Sequence, residues 1–141
     1  MANKTKTNRE RLKELYVHYN LNDEDIFKHK TFHYVMITKS GIEKIMAQDQ
    51  INVEFKPEKI FEDQDGNCKG CIVKAWTTKN DVKIETFGTA TKGNCQSNYY
   101  MEMAEKRAKA RCVLQLTEFS SLGVFSDVEV DEWNRNHKSN Q

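Results

Sequence analysis

The chain has no apolar run approaching the roughly 20 residues that span a bilayer, so no membrane role is expected. Its opening residues, MANKTKTNRER, carry charge with no apolar segment behind them, which is not the pattern of a secretory signal. The expected location is the cytoplasm. Net charge is only +1, so total charge makes no case for a polyanionic partner, and any such case rests on how charge is distributed. Neither a P-loop nor a GxGxxG fingerprint is present, which leaves nucleotide hydrolysis unsupported. The four histidines, His18, His29, His33 and His137, fall into no metal or nucleophile constellation. His29 and His33 have helical spacing, but the residues from Phe32 to Ile37 read as strand, which separates the two rings. The paired carboxylates Asp63 and Asp65 sit in a turn. No catalytic residue, metal or cofactor is therefore expected, and the chain does not read as an enzyme; a metal-dependent nuclease would need clustered carboxylates.

Cysteine is sparse, and its placement argues against zinc. Cys68 and Cys71 have a knuckle-like spacing, but Cys95 and Cys112 are far apart, one in a loop and one deep in a helix. Cys71 alternates with Val73 and Ala75 on one strand face, so its expected work is to fill space in a reducing compartment.

What is present is a readable order of elements. Leu12, Leu15, Tyr16 and Tyr19 recur at helical spacing and predict a helix from Arg9 to about Tyr19. Asp23, Glu24 and Asp25 can start a short helical turn, and the β-branched and aromatic run to Ile37 predicts a strand. Ser40 and Glu43 form a capping box for a helix from Gly41 to about Gln48 that buries Ile42, Ile45 and Met46. From Ile51 the period becomes two. A strand to about Phe61, with Pro57 marking an edge or irregularity, is followed by a turn around Asp63 to Asn67. That turn's acidic spacing faintly resembles a calcium loop but lacks the remaining ligands. Two more strands, Gly70 to Thr78 and Val82 to Thr91, join through Lys79, Asn80 and Asp81, a tight hairpin turn by composition. Gly88 predicts a bulge or bend. A long helix, capped by Ser97 or Asn98, then runs from about Tyr99 to Glu118. The fold class is α+β: a three-stranded antiparallel meander and a short N-terminal strand, packed against a long C-terminal helix, with small N-terminal helices. Residues 1–8 read as disordered, 9–126 as a single domain, and 127–141 as an acidic and then polar tail.

The long helix gathers four cations, Lys106, Arg107, Lys109 and Arg111. At 100° per residue, Met101, Ala104, Ala108, Cys112, Gln115 and Phe119 share a packing face, and Met103, Ala110 and Leu114 form a second apolar strip to be covered either by the chain's own N-terminal helices or by a neighbouring subunit. Glu102 and Glu105 precede Lys106 and Lys109 by four, so those lysines also fit an ordinary solvated face. Arg107 and Arg111 lie together between the strips with no acid on the preceding turn, and at that spacing they can bridge successive phosphates. The small, polar loop Thr89 to Asn94, with Lys92, suits close backbone approach to a phosphate. Tyr99, Tyr100 and Trp76 are candidates for stacking on bases, beside their commoner fate as core.

The order YVMITKSGIEKI, meander, GTATKGN and MAEKRAKARCVLQL resembles phage and prokaryotic single-strand annealing proteins of the Rad fifty-two type, over about residues 32–124. The most specific part is the pattern from Ala104 to Arg111 after a strand ending Gly88, Thr89, Ala90, with a short loop at Ser121 to Gly123 beyond it. The resemblance implies an annealing-type domain whose subunits assemble side by side into rings or arcs. Single-stranded DNA would run in a basic groove, backbone inward and bases outward. It implies that Arg107 and Arg111 contribute to the groove, with Lys106, Lys109 and Lys92 as weaker candidates and Lys74 or Lys83 on the hairpin as further contacts. This chain is shorter than the eukaryotic members, has few lysines on its first helix beyond Lys13, and lacks a long basic C-terminal arm. The expected function is ATP-independent binding and annealing of single strands in phage-type recombination or repair. The competing expectation is a small interaction module, such as a phage-encoded inhibitor of a host factor, binding protein through Asp127 to Glu132 and the second apolar strip.

Overall fold

The computed structural model describes residues 6–28, 31, 34–95 and 98–129. In chain order they form α1 (Asn8–His18), β1 (Ile26–Lys28), β2 (Val35–Ile37), α2 (Lys39–Asp49), β3 (Glu54–Glu62), β4 (Cys68–Lys79), β5 (Val82–Thr91), α3 (Tyr100–Leu116), a 3-10 turn (Phe119–Leu122) and β6 (Val124–Ser126). The architecture is α+β, as the sequence predicts. The short strand expected before α2 joins a second sheet instead of extending the meander. β2 pairs antiparallel with β1 and parallel with β6, while β3, β4 and β5 form a separate antiparallel sheet. α1 starts within the stretch read as disordered, because the Thr7 hydroxyl accepts from the Glu10 amide at 3.2 Å. The remainder of that stretch, residues 1–5, and the tail beyond Glu129 lie outside the described residues.

The long hairpin is set by its turn. Asn80 and Asp81 both have positive φ, 51° and 65°, and Lys79 pairs with Val82 across them. This is the two-residue connection whose twist matches that of the strands it joins. Side chains of β4 alternate strictly: Cys71, Val73, Ala75 and Thr77 are buried, and the residues between them are partly open.

α3 lies across the buried face of this sheet at very short range. At Gly88 a Cβ would stand 1.9 Å from the Ala104 carbonyl oxygen and 2.7 Å from the Ala108 nitrogen. Gly88 therefore makes no bulge, since its pairing with Val73 is in register; its lack of a side chain is what admits the helix. Ala104, Ala108 and Cys112 are fully buried there, and the Thr86 hydroxyl donates to the Ala108 carbonyl at 2.6 Å. Gln115 of the expected packing face is exposed, and Phe119 reaches the core from the 3-10 turn beyond the helix end. The far half of α3 enters a second core, where Ala110, Val113 and Leu114 meet Leu15, Ile37, Ile42, Ile45 and Phe119. The second apolar strip is therefore largely covered by the chain's own helices, with Met103 still partly open. α3 starts at Tyr100 without a side-chain cap; Ser97 lies outside the described residues and Asn98 is not the cap.

The capping of α2 also departs from expectation. Thr38 is the cap, its hydroxyl accepting from the Gly41 amide at 3.4 Å, and the Ser40 hydroxyl instead donates to Asp25. Asp25 is completely buried and also accepts from the Asn22 amide at 2.9 Å and the Lys44 ammonium at 2.6 Å. It pins the turn before β1 to the start of α2. Burial alone would raise its pKa, but the Asn22 amide, the Lys44 ammonium and the Ser40 hydroxyl outweigh that and hold it below the usual value.

Two outcomes are expected of stability measurements. Gly88→Ala lowers the urea-unfolding free energy by about 3 kcal/mol or prevents folding, because the helix backbone has no room to yield; a loss under about 0.5 kcal/mol would contradict the close approach. Asp25 contributes stability above its unfolded pKa of about 3.9 and loses it as pH falls through the lower folded value. Asp25→Asn should thus reduce stability at neutral pH and flatten its decline on acidification; parallel pH profiles would count against the buried carboxylate.

Candidate nucleic-acid interface

One face of the meander is filled by α3, and the strand period sends every second side chain to the other face. There, β4 presents Ile72, Lys74 and Trp76, and β5 presents Lys83, Glu85 and Phe87. The antiparallel register sets Glu54 opposite Trp76, Lys56 opposite Lys74, Lys59 opposite Ile72 and Phe61 opposite Gly70. Lys56 and Lys59 share a face although they are three apart, because the register shifts between Pro57 and Lys59. The result is a surface of cations interleaved with rings. Lys59 stands 5.1 Å from the Phe61 ring centre and Lys74 5.9 Å from that of Trp76. Phe61 is 38% exposed and Phe87 47%, while Trp76 is half-buried.

The charge on this face is predominantly positive. Lys56, Lys59, Lys74 and Lys83 face Glu54 and Glu85, and Glu85 is engaged by Lys83 at 2.9 Å and Lys74 at 3.5 Å. The hydrogen bond from Lys83, followed by the charge of Lys74, holds the Glu85 carboxyl below its usual pKa. Chemically, the surface offers ammonium groups to phosphates and ring faces to bases, with no hydrogen-bonding code for sequence.

The candidate cations of the sequence do not form one cluster. Lys74 and Lys83 lie on the open sheet face with Trp76, and Lys92 is exposed in the turn after β5. Lys106 and Lys109 are on the opposite side of the sheet, beside Lys39 of α2. Arg107 is only 2% exposed, so the expected pair of arginines side by side before a ligand is not what the chain builds. Its Nη1 donates to the Thr89 carbonyl at 2.7 Å and Asn94 Oδ1 at 3.1 Å, and its Nη2 to the Asn94 carbonyl at 2.6 Å. Asn94 Oδ1 also accepts from the Thr91 amide at 2.7 Å, so the guanidinium and this amide together lock the loop between β5 and α3. Arg111 is more open, but Glu129 pairs with its Nε and its Nη1 donates to the Phe87 carbonyl at 2.7 Å. The neutralising acid that the helix lacks thus comes from beyond β6. Glu118 is taken by Arg11 at 2.8 Å.

Of the aromatic candidates, Trp76 is on the open face, Tyr100 opens α3 with its side chain buried against the meander, and Tyr99 is exposed just before it. Lys56, Lys59, Phe61 and Phe87 belong to the same face, although no motif in the sequence marks them. Pro57 marks an edge or irregularity in the sequence, and the structure places the register shift between Pro57 and Lys59; that it brings Lys59 onto the face of Lys56 follows only from the pairing with β4. The cysteines are all free, with Cys71 buried against Val73 as a space-filling residue and its thiol pushed up to about 11, chiefly by burial. The Asp63 carboxylate is occupied by the Asp65 and Asn67 amides, each at 2.9 Å, as the turn reading requires. No helix among the described residues is long and apolar enough to cross a membrane. No protein-family model matches the chain, and no curated protein matches it.

If Arg107 is a brace, Arg107→Lys keeps the charge but loses the fork, and stability should fall by about 1–3 kcal/mol. Faster hydrogen exchange at the Thr91 and Asn94 amides should accompany it. Unchanged unfolding and exchange would show that the guanidinium does not hold the loop.

Proposed function

We propose that the protein binds single-stranded DNA without ATP and anneals complementary strands, in recombination or repair of the phage type. The observation that carries this reading is the uncovered sheet face, where four lysines alternate with Trp76, Phe61 and Phe87. Lysines there neutralise phosphates and so reduce the repulsion between two strands. Rings stack on the faces of bases, which leaves the pairing edges open to a complementary strand. The resemblance of the strand, meander and helix pattern to annealing proteins supports the same reading. Side-by-side assembly of subunits belongs to it: β3 and β5 are both edge strands, with Ile60 and Val82 exposed on them.

Fluorescence anisotropy with a labelled oligonucleotide tests the proposal. Binding should weaken as salt rises, with a logarithmic slope of about −2 to −3 if three or four phosphates are neutralised. Lys56→Glu with Lys59→Glu, or Trp76→Ala alone, should weaken it about ten-fold or more while the circular dichroism stays the same. Absence of binding at low salt sinks the reading.

A further inference from the structure

Beside the turn between β3 and β4, the strand register brings two of the cysteines onto one face. Regular alternation would send Cys68 and Cys71, three apart on β4, to opposite sides of the sheet. The pairing with β3 prevents this: Ile60 faces Cys71, Phe61 faces Gly70 and Glu62 faces Cys68, so Lys69 is an extra residue in the ladder. Cys68 and Cys71 are therefore same-face neighbours. Two strand rises separate their Cα atoms, about 7 Å, which is the upper end of what a disulfide spans. The side chains close the rest of the gap, because the two sulfurs are within hydrogen-bond reach of each other.

The pair is unequal in access. Cys68 is exposed, with its thiol donating to the Gly70 carbonyl at 3.5 Å, whereas Cys71 is completely buried in the cluster that holds Val73 and Cys95. Burial keeps Cys71 protonated at neutral pH, so a dissolved oxidant meets Cys68 first. An accessible sulfur directly above a buried one is the arrangement in which the first is oxidised and the second resolves the product. Cys112 lies in a different cluster with Ala75 and Ala108, its sulfur 3.1 Å from the Thr86 hydroxyl, and takes no part.

We propose that Cys68 and Cys71 form a reversible dithiol site oxidised by peroxide, with Cys68 as the attacking sulfur and Cys71 as the resolving one. The Cys68 thiolate attacks one peroxide oxygen, the O–O bond breaks, and hydroxide leaves and takes up the proton that Cys68 lost. Cys68 is then a sulfenic acid. The Cys71 sulfur attacks it, the Cys71 proton goes to the departing hydroxyl group, and water leaves as the S–S bond forms. Two electrons pass in all from the thiol pair to one peroxide. A bond at the limit of its reach is readily reduced again by a small thiol. Neither the site nor its test involves nucleic acid. Trypsin cuts after Lys69, between the two cysteines, so peptides 60–69 and 70–74 stay together only through the bond. After hydrogen peroxide treatment of the full chain and blocking of free thiols, mass spectrometry of the digest should find this linked pair, and dithiothreitol should separate it. Cys68→Ser, at an exposed position, should abolish the pair and leave Cys71 reduced. Cys71→Ala should raise dimedone capture of the Cys68 sulfenic acid at least about three-fold, since nothing resolves it. The digest of the unaltered chain decides the matter even if Cys71→Ala fails to fold. Cys68 recovered as sulfinic acid with the two peptides separate, or linked to Cys95 or to a second copy, overturns the proposal.

Discussion

Everything in this molecule depends on how closely α3 lies on the sheet. At Gly88 the helix backbone comes so near that no side chain can intervene, and the alanines at 104 and 108 complete a contact made almost entirely of main chain. That approach does three things together. It fixes α3 as the wall shared by two cores, the small one against the meander and the larger one around Ile37, Ile45 and Phe119. It draws Arg107 under the loop after β5, where carbonyl oxygens replace water around the guanidinium. It also covers the middle of one sheet face, around Val73, Ala75 and Ala90, while the other face is left to solvent.

The division of charge follows from that geometry. With a net charge of +1 the chain has no general attraction for nucleic acid, and the cations it carries are sorted by elements into separate environments. Arg107 is spent on the loop, and Arg111 on Glu129 and the edge of β5. The lysines of the meander are interleaved with rings, whereas those of α3 stand among the carboxylates of Asp127, Glu102 and Glu105. A cation among aromatic rings suits a base and its phosphate together.

Much of the fold was legible in the residues. β5 runs from Val82 to Thr91 as its alternation predicts, the hairpin closes at Asn80 and Asp81, and Ala104, Ala108 and Cys112 bury together as their angular spacing requires. What was not legible depends on contacts distant in sequence. β1 and β6 are three-residue strands, too short for any periodicity, and they exist because β2 lies between them. Ser40 had the composition of a cap, but the buried Asp25 claims its hydroxyl, and Thr38 takes the capping role. The helical wheel gave the direction of Arg107 correctly and said nothing of depth: a side chain between two apolar strips is buried when both strips are covered. Lys74, Trp76 and Lys83 have no shared motif in the sequence, and the strand register is what makes them one surface.

The measurement that bears most directly on the open sheet face as the working surface is backbone amide chemical-shift mapping by NMR during titration with a single-stranded oligonucleotide. The account predicts that the perturbed amides cluster at Lys56, Lys59, Lys74, Trp76 and Phe87. Perturbation confined to α3 around Lys106 and Lys109, with the meander unmoved, would contradict it.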